Sequence, residues 1–367
     1  MDIMLRKRAI TVWKTFAILV DLSCRAKSLP FALLYGKSLT QEVTFTQDGK
    51  TIIADIHRPA DDKRHPALLM GHGMLPIGKN DPRVKNICTT LARAGYVVMV
   101  PQLEGQIRDL LTQEDVDTLV ASFQYLNNQP FVKRESMGMG GFCISASLAL
   151  SAAEDPSISD SVAVVSVWGG YYHIRDLVHD VVTETNTYNG RVTPWKPAPN
   201  VRPVIEHNLV NSLAHSRDRE LLKEYLKERD QGDKGLAEEL KEELSPEGQA
   251  VYDLLMNQDP QGTSKLWKVL NPQALENFSR VSPGTHIDRV KAKVLLIHGR
   301  GDGTVPSVES YKIANALKDR GRVNLTIFTM FDHVNPELSR MNLSNLRGMA
   351  EDGLNFFIYI YRLLYEL

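Results

Sequence analysis

Cysteine is scarce: three stand in 367 residues, at positions 24, 88 and 143. So small and odd a number excludes a disulfide framework and fits a reducing, cytoplasmic compartment. The cysteines and histidines show none of the spacings of a zinc site, and the sequence implies no metal or organic cofactor. Charge of one sign is lacking too. Lys+Arg number 43 and Asp+Glu 44, a net charge of -1. No surplus of cations exists to displace counterions, so nucleic acid is not an expected partner. No uncharged apolar run reaches the roughly 18 residues of a spanning helix. What remains is ordinary globular composition, 43% hydrophobic and 24% charged. At about 150 residues per domain, the length suits one large domain with an insertion, or two domains.

Residues 1–38 read as a separate helical segment. Arg6, Lys7 and Arg8 precede the apolar stretch Ile10–Val20, which Lys14 interrupts. Lys7, Lys14, Asp21 and Ser28 recur every seven residues and share one narrow polar stripe of a helix. Leu5, Ala9, Val12, Trp13, Phe16, Leu19 and Val20 fill the remainder. Three fates suit residues 1–35. They dock on the main domain or dimerise with a second subunit. They lie peripherally on a membrane surface through Trp13 and the basic cluster. Or they are cleaved as a secretory leader, whose basic-then-apolar order they share.

From about residue 40 the chain alternates strand and helix patterns. Glu42–Thr46 and Thr51–His57 flank an Asp-Gly turn and predict a hairpin. His65–Met70, Tyr96–Val100, Ser136–Gly141, Val162–Val167, Ala292–Ile297 and Val323–Phe328 are short apolar runs. Helical patterns over Pro82–Ala94, Val116–Leu126, Ala146–Ala153 and Val308–Ala316 fall between several of them. Continuous apolar strands separated by helices imply a parallel sheet covered on both faces. One interval is too long for a crossover: 123 residues, 169–291. It opens on a proline-rich loop (Pro194, Pro197, Pro199, Pro203). It continues into Ser216–Ser245, where 17 of 30 residues are charged and read as a solvated helical face.

Three strand ends carry reactive side chains. Gly141-Phe142-Cys143-Ile144-Ser145 lies where a strand turns into a helix. A nucleophile there is exposed at the carboxyl edge of a sheet, and the N–H of the next residue points into the same space. Cys143 holds the nucleophile position, and Ser145 replaces the usual second glycine. An adjacent histidine would generate the thiolate. Asp302 follows the strand ending at Ile297, and His333 follows the strand ending at Phe328. In this arrangement Asp302 orients His333, and His333 takes the proton of Cys143. The oxyanion donors are the N–H of Ile144 and, after Gly71-His72-Gly73, that of Met74. His72 reads as a residue that shapes this loop, and His173 and His179 as candidates to line the site from the insertion.

The order nucleophile, acid, histidine resembles that of the α/β-hydrolase superfamily. The elbow at Cys143, the loop His298-Gly299-Arg300-Gly301-Asp302-Gly303-Thr304-Val305-Pro306 and Trp168-Gly169-Gly170-Tyr171-Tyr172 are similar to its dienelactone hydrolase-like branch. The resemblance covers roughly residues 40–168 and 290–365. Asp332 departs from it, standing where that branch has a glycine before the histidine. The resemblance implies an α/β-hydrolase fold, a mostly parallel sheet flanked by helices. Residues 39–170 and 288–367 would form the core, and residues 171–287 an inserted helical cap. It also implies a small-molecule acyl substrate: an ester, lactone or thioester hydrolysed through an acyl-cysteine. An acyltransferase with the same intermediate, and a non-catalytic binding protein on the same fold, stand as alternatives.

Overall fold

The structure, a computed structural model, describes residues 2–24, 36–47, 49–230, 237–256, 260–329, 331–332, 335–336 and 346–367. Helix α1 (Asp2–Cys24) precedes a hairpin of β1 (Ser38–Gln47) and β2 (Lys50–Pro59), in which Gln47 faces Lys50 across the two-residue turn. The core continues as β3 (His65–Gly71), α2 (Pro82–Arg93), β4 (Val97–Pro101), α3 (Gln113–Asn127), β5 (Val132–Phe142), α4 (Ile144–Ala152) and β6 (Val164–Trp168). The long interval holds α5 (Ile174–Thr183), β7 (Thr185–Tyr188), β8 (Arg191–Pro194), α6 (Val201–Ser212), α7 (Ser216–Asp230), α8 (Ala237–Glu243), α9 (Pro246–Met256), α10 (Pro260–Val269) and α11 (Pro272–Arg280). The core resumes with β9 (Lys293–Gly299), α12 (Val308–Leu317), β10 (Val323–Phe328) and α13 (Leu346–Glu366).

Eight strands form one sheet in the order β1-β2-β4-β3-β5-β6-β9-β10. From β4 to β10 every neighbour is parallel; β2 alone runs against the rest, antiparallel to both β1 and β4. This is the α/β-hydrolase fold that the resemblance implies. Side chains alternate between two cores, as a pleated strand demands. Leu68, Met70, Val98, Val100, Val164, Leu295 and Ile297 meet Val84 and Leu91 of α2, Ile18 of α1 and Tyr359 and Leu363 of α13. Leu69, Val97, Met99, Met137, Met139, Val165 and Leu296 meet α3, α4 and the interval helices. Because both faces are covered, the strands read as unbroken apolar runs. Asp81 starts α2 by accepting the Arg83 N–H at 2.8 Å, with Pro82 in the first turn.

From β3 the chain crosses to β4 on one side, then returns to place β5 on the other. The carboxyl ends of β3 and β5 therefore flank a topological switch point, where open α/β sheets bind ligands. The loops that start at Gly71 and at Cys143 both leave from this point.

Several elements went unassigned in the sequence, among them the β7–β8 hairpin and helix α13. The β7–β8 hairpin carries an Asn-Gly turn, with φ of +50° at Asn189 and +77° at Gly190, a strong local signal. Helix α13 buries Tyr359, Leu363 and Leu364 on one side and exposes Leu354 on another. In α7 the expected charged face is exposed, and Leu221, Leu222 and Tyr225 are buried.

Helix α1 docks on the core through Thr11, Thr15, Ala17 and Ile18, which are buried. Its polar stripe runs along the edge of this face. Lys14 Nζ sits 4.5 Å from the Tyr96 ring centre and Lys7 Nζ 4.8 Å from that of Tyr365. Asp21 accepts from Thr90 Oγ1 at 2.7 Å and pairs with Arg93 at 3.5 Å. Ser28 lies outside the described residues. No helix among those described is long and apolar enough to cross a membrane.

Glu154, just past α4, is 4% exposed, and its Oε1 has no hydrogen-bond partner among the described residues. Burial pushes its carboxyl up from 4.5 to about 9. The folded chain thus keeps a proton that the unfolded chain releases above pH 4.5, and the group subtracts stability as pH rises from 4.5 to about 9. Glu154→Gln is therefore expected to stabilise the fold at neutral pH by roughly 1–3 kcal/mol, with no gain in acid below the unfolded carboxyl's range. Urea unfolding across pH checks this; a gain independent of pH would contradict it.

Candidate active site

Cys143 occupies the single residue between β5 and α4. Its φ is +56° and ψ -132°, a left-handed φ that β-carbon-bearing residues rarely adopt. Its N–H donates to the Trp168 carbonyl at 2.8 Å, which pins the turn to the neighbouring strand. Helix α4 starts without a side-chain cap; the Ala146 N–H turns back to the Cys143 carbonyl at 3.0 Å, and the N–H groups before it have no intrahelical acceptor. Ile144 supplies one of them. Cys143 is half-buried, whereas Cys88 is enclosed and burial pushes its thiol far up.

The turn opens on a cavity of about 330 Å³. Cys143, Ile144, Met74 and Thr304 share its wall, with Leu75, Ile87 and Leu111 from the core. Leu177 of α5 and Val201, Val204 and Ile205 of α6 close it from the interval. At the rim stand Asp109 and Arg83, whose guanidinium is held by Asp81 at 2.8 and 2.9 Å.

Ser145 turns out to be the hinge of the site. It is fully buried, and its Oγ accepts the Gly73 N–H at 2.7 Å and donates to Gln106 Oε1 at 2.6 Å. A Cβ on Gly71 would lie 2.6 Å from Ser145 Cβ, and one on Gly141 2.8 Å from it. Two glycines therefore make room for the side chain that replaces the third. Because Ser145 occupies the Gly73 N–H, the next donor in that loop is Met74. His72 is locked beside it: Nδ1 donates to the Gly73 carbonyl at 2.6 Å and Nε2 accepts from the Leu103 N–H at 3.1 Å. Burial pulls its pKa down, so the imidazole is neutral and shapes the loop.

Asp302 is 2% exposed, in the loop after β9. Its Oδ1 accepts the N–H groups of Thr304 at 2.7 Å and Val305 at 3.1 Å, and its Oδ2 lies 3.3 Å from His298 Nε2. His298, unassigned in the sequence, braces the loop: Nδ1 meets Ser310 Oγ at 2.7 Å and Nε2 the Val305 carbonyl at 2.9 Å. The interval adds two further ties, Trp195 Nε1 to the Asp302 carbonyl at 2.9 Å and the Ala198 N–H to the Gly303 carbonyl at 2.7 Å. Cys143 and Asp302 follow strands separated only by β6, two strand spacings or roughly 10 Å apart. His333 lies outside the described residues. Two expectations fail. His173 packs against Gly284, and His179 bonds to Thr263 Oγ1 at 2.9 Å; neither lines the cavity, because the apolar face of α5 takes that side.

A parallel sheet with helices on both faces, and a strained elbow opening on a cavity at the switch point, define the α/β-hydrolase fold and the place of its site. Residues 48–335 match the family model of the X-Pro dipeptidyl-peptidases (S15 family). The chain belongs to that family. A Bradyrhizobium protein described as a probable 2-oxo-3-(5-oxofuran-2-ylidene)propanoate lactonase is 26% identical over 176 residues, covering 44% of this chain and 64% of that protein. The chain thus spans less than two thirds of that relative. Among solved structures, the acylaminoacyl peptidase of Pyrococcus horikoshii is 17% identical with a TM-score of 0.48, over 88% of this chain and 41% of that one. Est1E from Butyrivibrio proteoclasticus is 12% identical with a TM-score of 0.44, over 85% and 96%. The family is of the serine type. Here cysteine holds the elbow, no serine is among the described residues lining the cavity, and the nearby Ser145 hydroxyl is committed on both sides.

Gly71→Ala and Ser145→Gly are each expected to destabilise the fold by about 1–3 kcal/mol, the first by overpacking and the second by stranding the Gly73 N–H. The double variant should lose less than the sum, since glycine at 145 makes room for the new methyl. Denaturant unfolding of all four proteins reads this, and strict additivity would refute the contact.

Proposed function

We propose that this chain hydrolyses a small, largely apolar carboxylic ester or lactone through a covalent cysteine intermediate. The observation that carries this reading is Cys143, held at a left-handed φ on the wall of an apolar cavity beside the first N–H of α4. The lactonase description of the Bradyrhizobium relative is consistent with a cyclic ester. His333 removes the Cys143 proton, and Asp302 orients the ring. The sulfur adds to the carbonyl carbon, and the oxyanion takes the N–H groups of Ile144 and Met74. The carbon–oxygen bond breaks, and His333 returns the proton to the leaving alcohol. Water, deprotonated by His333, then attacks the thioester, releases the acid and restores the thiol. The interval acts as a cap: Leu177, Val201 and Ile205 hold the acyl part and keep water out until the second step.

Asp109 favours a second reading. A carboxylate at the cavity rim suits the ammonium of a peptide, as removal of an amino-terminal dipeptide would require. The two readings part on substrate. Short p-nitrophenyl esters and γ-lactones are expected to turn over, and Gly-Pro-p-nitroanilide is not. Cys143→Ala should lose about 10³-fold or more in kcat, and denatured intact mass should show an acyl adduct only when Cys143 is present. Turnover that survives Cys143→Ala, or preferential release of nitroaniline, would overturn the ester reading.

A further inference from the structure

The outward face of α1 has no partner among the described residues. Leu5, Val12, Trp13 and Phe16 are 56%, 46%, 51% and 49% exposed. At 100° per residue, Leu5, Ala9, Val12, Trp13, Phe16 and Val20 fall within an arc of roughly 100°. Exposed Arg6 and Arg8 border the arc, one on each side. A surface helix ordinarily turns such a stripe to the core. Here the core side carries Thr11, Thr15 and Ile18, flanked by Lys7, Lys14 and Asp21, each with a specific partner. The polar contacts fix which face looks out, and from Leu5 to Val20 that face is apolar; the positions of Asp2 and Ser23 share its direction at the two ends of the helix.

We infer that α1 lays this arc on an anionic phospholipid surface, with Trp13 and Phe16 in the headgroup–acyl boundary and Arg6 and Arg8 against lipid phosphates. Two features choose lipid over a second copy of the chain. The arc presents roughly 500 Å² at most, near the upper end for patches on monomers and short of the about 800 Å² per partner of a stable dimer. Its bordering arginines complement phosphate on both edges, the arrangement of an interfacial helix. The helix does not cross the membrane; it would seat the core on it. This inference does not depend on the proposed chemistry.

The test is flotation of the full chain with phosphatidylcholine vesicles, with and without phosphatidylserine. The chain should float with the anionic vesicles and stay behind with the neutral ones. Arg6→Gln with Arg8→Gln should weaken binding roughly 20- to 30-fold, and Trp13→Ser with Phe16→Ser should abolish it. Circular dichroism and ester turnover should match wild type in both variants, since neither touches the core or the cavity. Failure to float, or equal flotation of the arginine variant, overturns the inference. So does a concentration-dependent dimer without vesicle binding that the Trp13/Phe16 variant makes monomeric, which assigns the face to a second copy. A Trp13 fluorescence contribution, taken by difference from Trp13→Phe, that is shielded from acrylamide without vesicles would also overturn it, by showing the arc covered within the chain.

Discussion

The site depends on how closely α4 approaches the ends of β3 and β5. A cysteine at φ +56° can persist only if its surroundings over-determine it. The Trp168 carbonyl holds its N–H, and α4 begins at once behind it, every residue from Ile144 to Ala152 buried. Gly71 and Gly141 lack the side chains that would push the helix away. Ser145 fills that space and turns a steric contact into a polar one, tying the elbow helix to the Gly73 loop and to Gln106. The thiol and the neighbouring N–H groups are thereby fixed relative to one another without any contact to a ligand.

The long interval is fastened to the same edge of the sheet. Trp195 and Ala198 bond to the Asp302 loop, and Asn208 accepts the Leu111 N–H at 2.7 Å while donating to the Asp109 carbonyl at 2.8 Å. Asn277 likewise accepts from Gln113 and donates to Leu111. These bonds satisfy loop backbone that the sheet cannot reach. They also explain why the cavity has walls from both parts of the chain, and why α5 turns Leu177 toward it while His173 and His179 face elsewhere.

Helix α1 shows the reverse economy. Its docking rests on two cation–ring contacts and a Thr90–Asp21–Arg93 cluster, with Ile18 and Ala17 as the apolar part of the contact. Orientation is set by these polar anchors and not by maximal burial of apolar surface, so the side chains that would ordinarily drive docking remain outside.

Much of the core was legible because it depends on local pattern. Unbroken apolar strands, the Asp-Gly turn, the Pro82 helix start and the elbow pentad are each dictated by a few adjacent residues. The positions of Cys143 after β5 and of Asp302 after β9 were legible for the same reason, since each follows its own strand end. What the tertiary structure alone decided are relations between residues far apart in the chain. Ser145 became a hinge through Gly73 and Gln106, 72 and 39 positions away. His298 became a brace through Ser310, and the seven-residue polar stripe of α1 became the edge of its docked face through Tyr96, Thr90 and Tyr365. Helical periodicity can say that two faces differ; which one meets the core depends on partners that the segment itself does not contain.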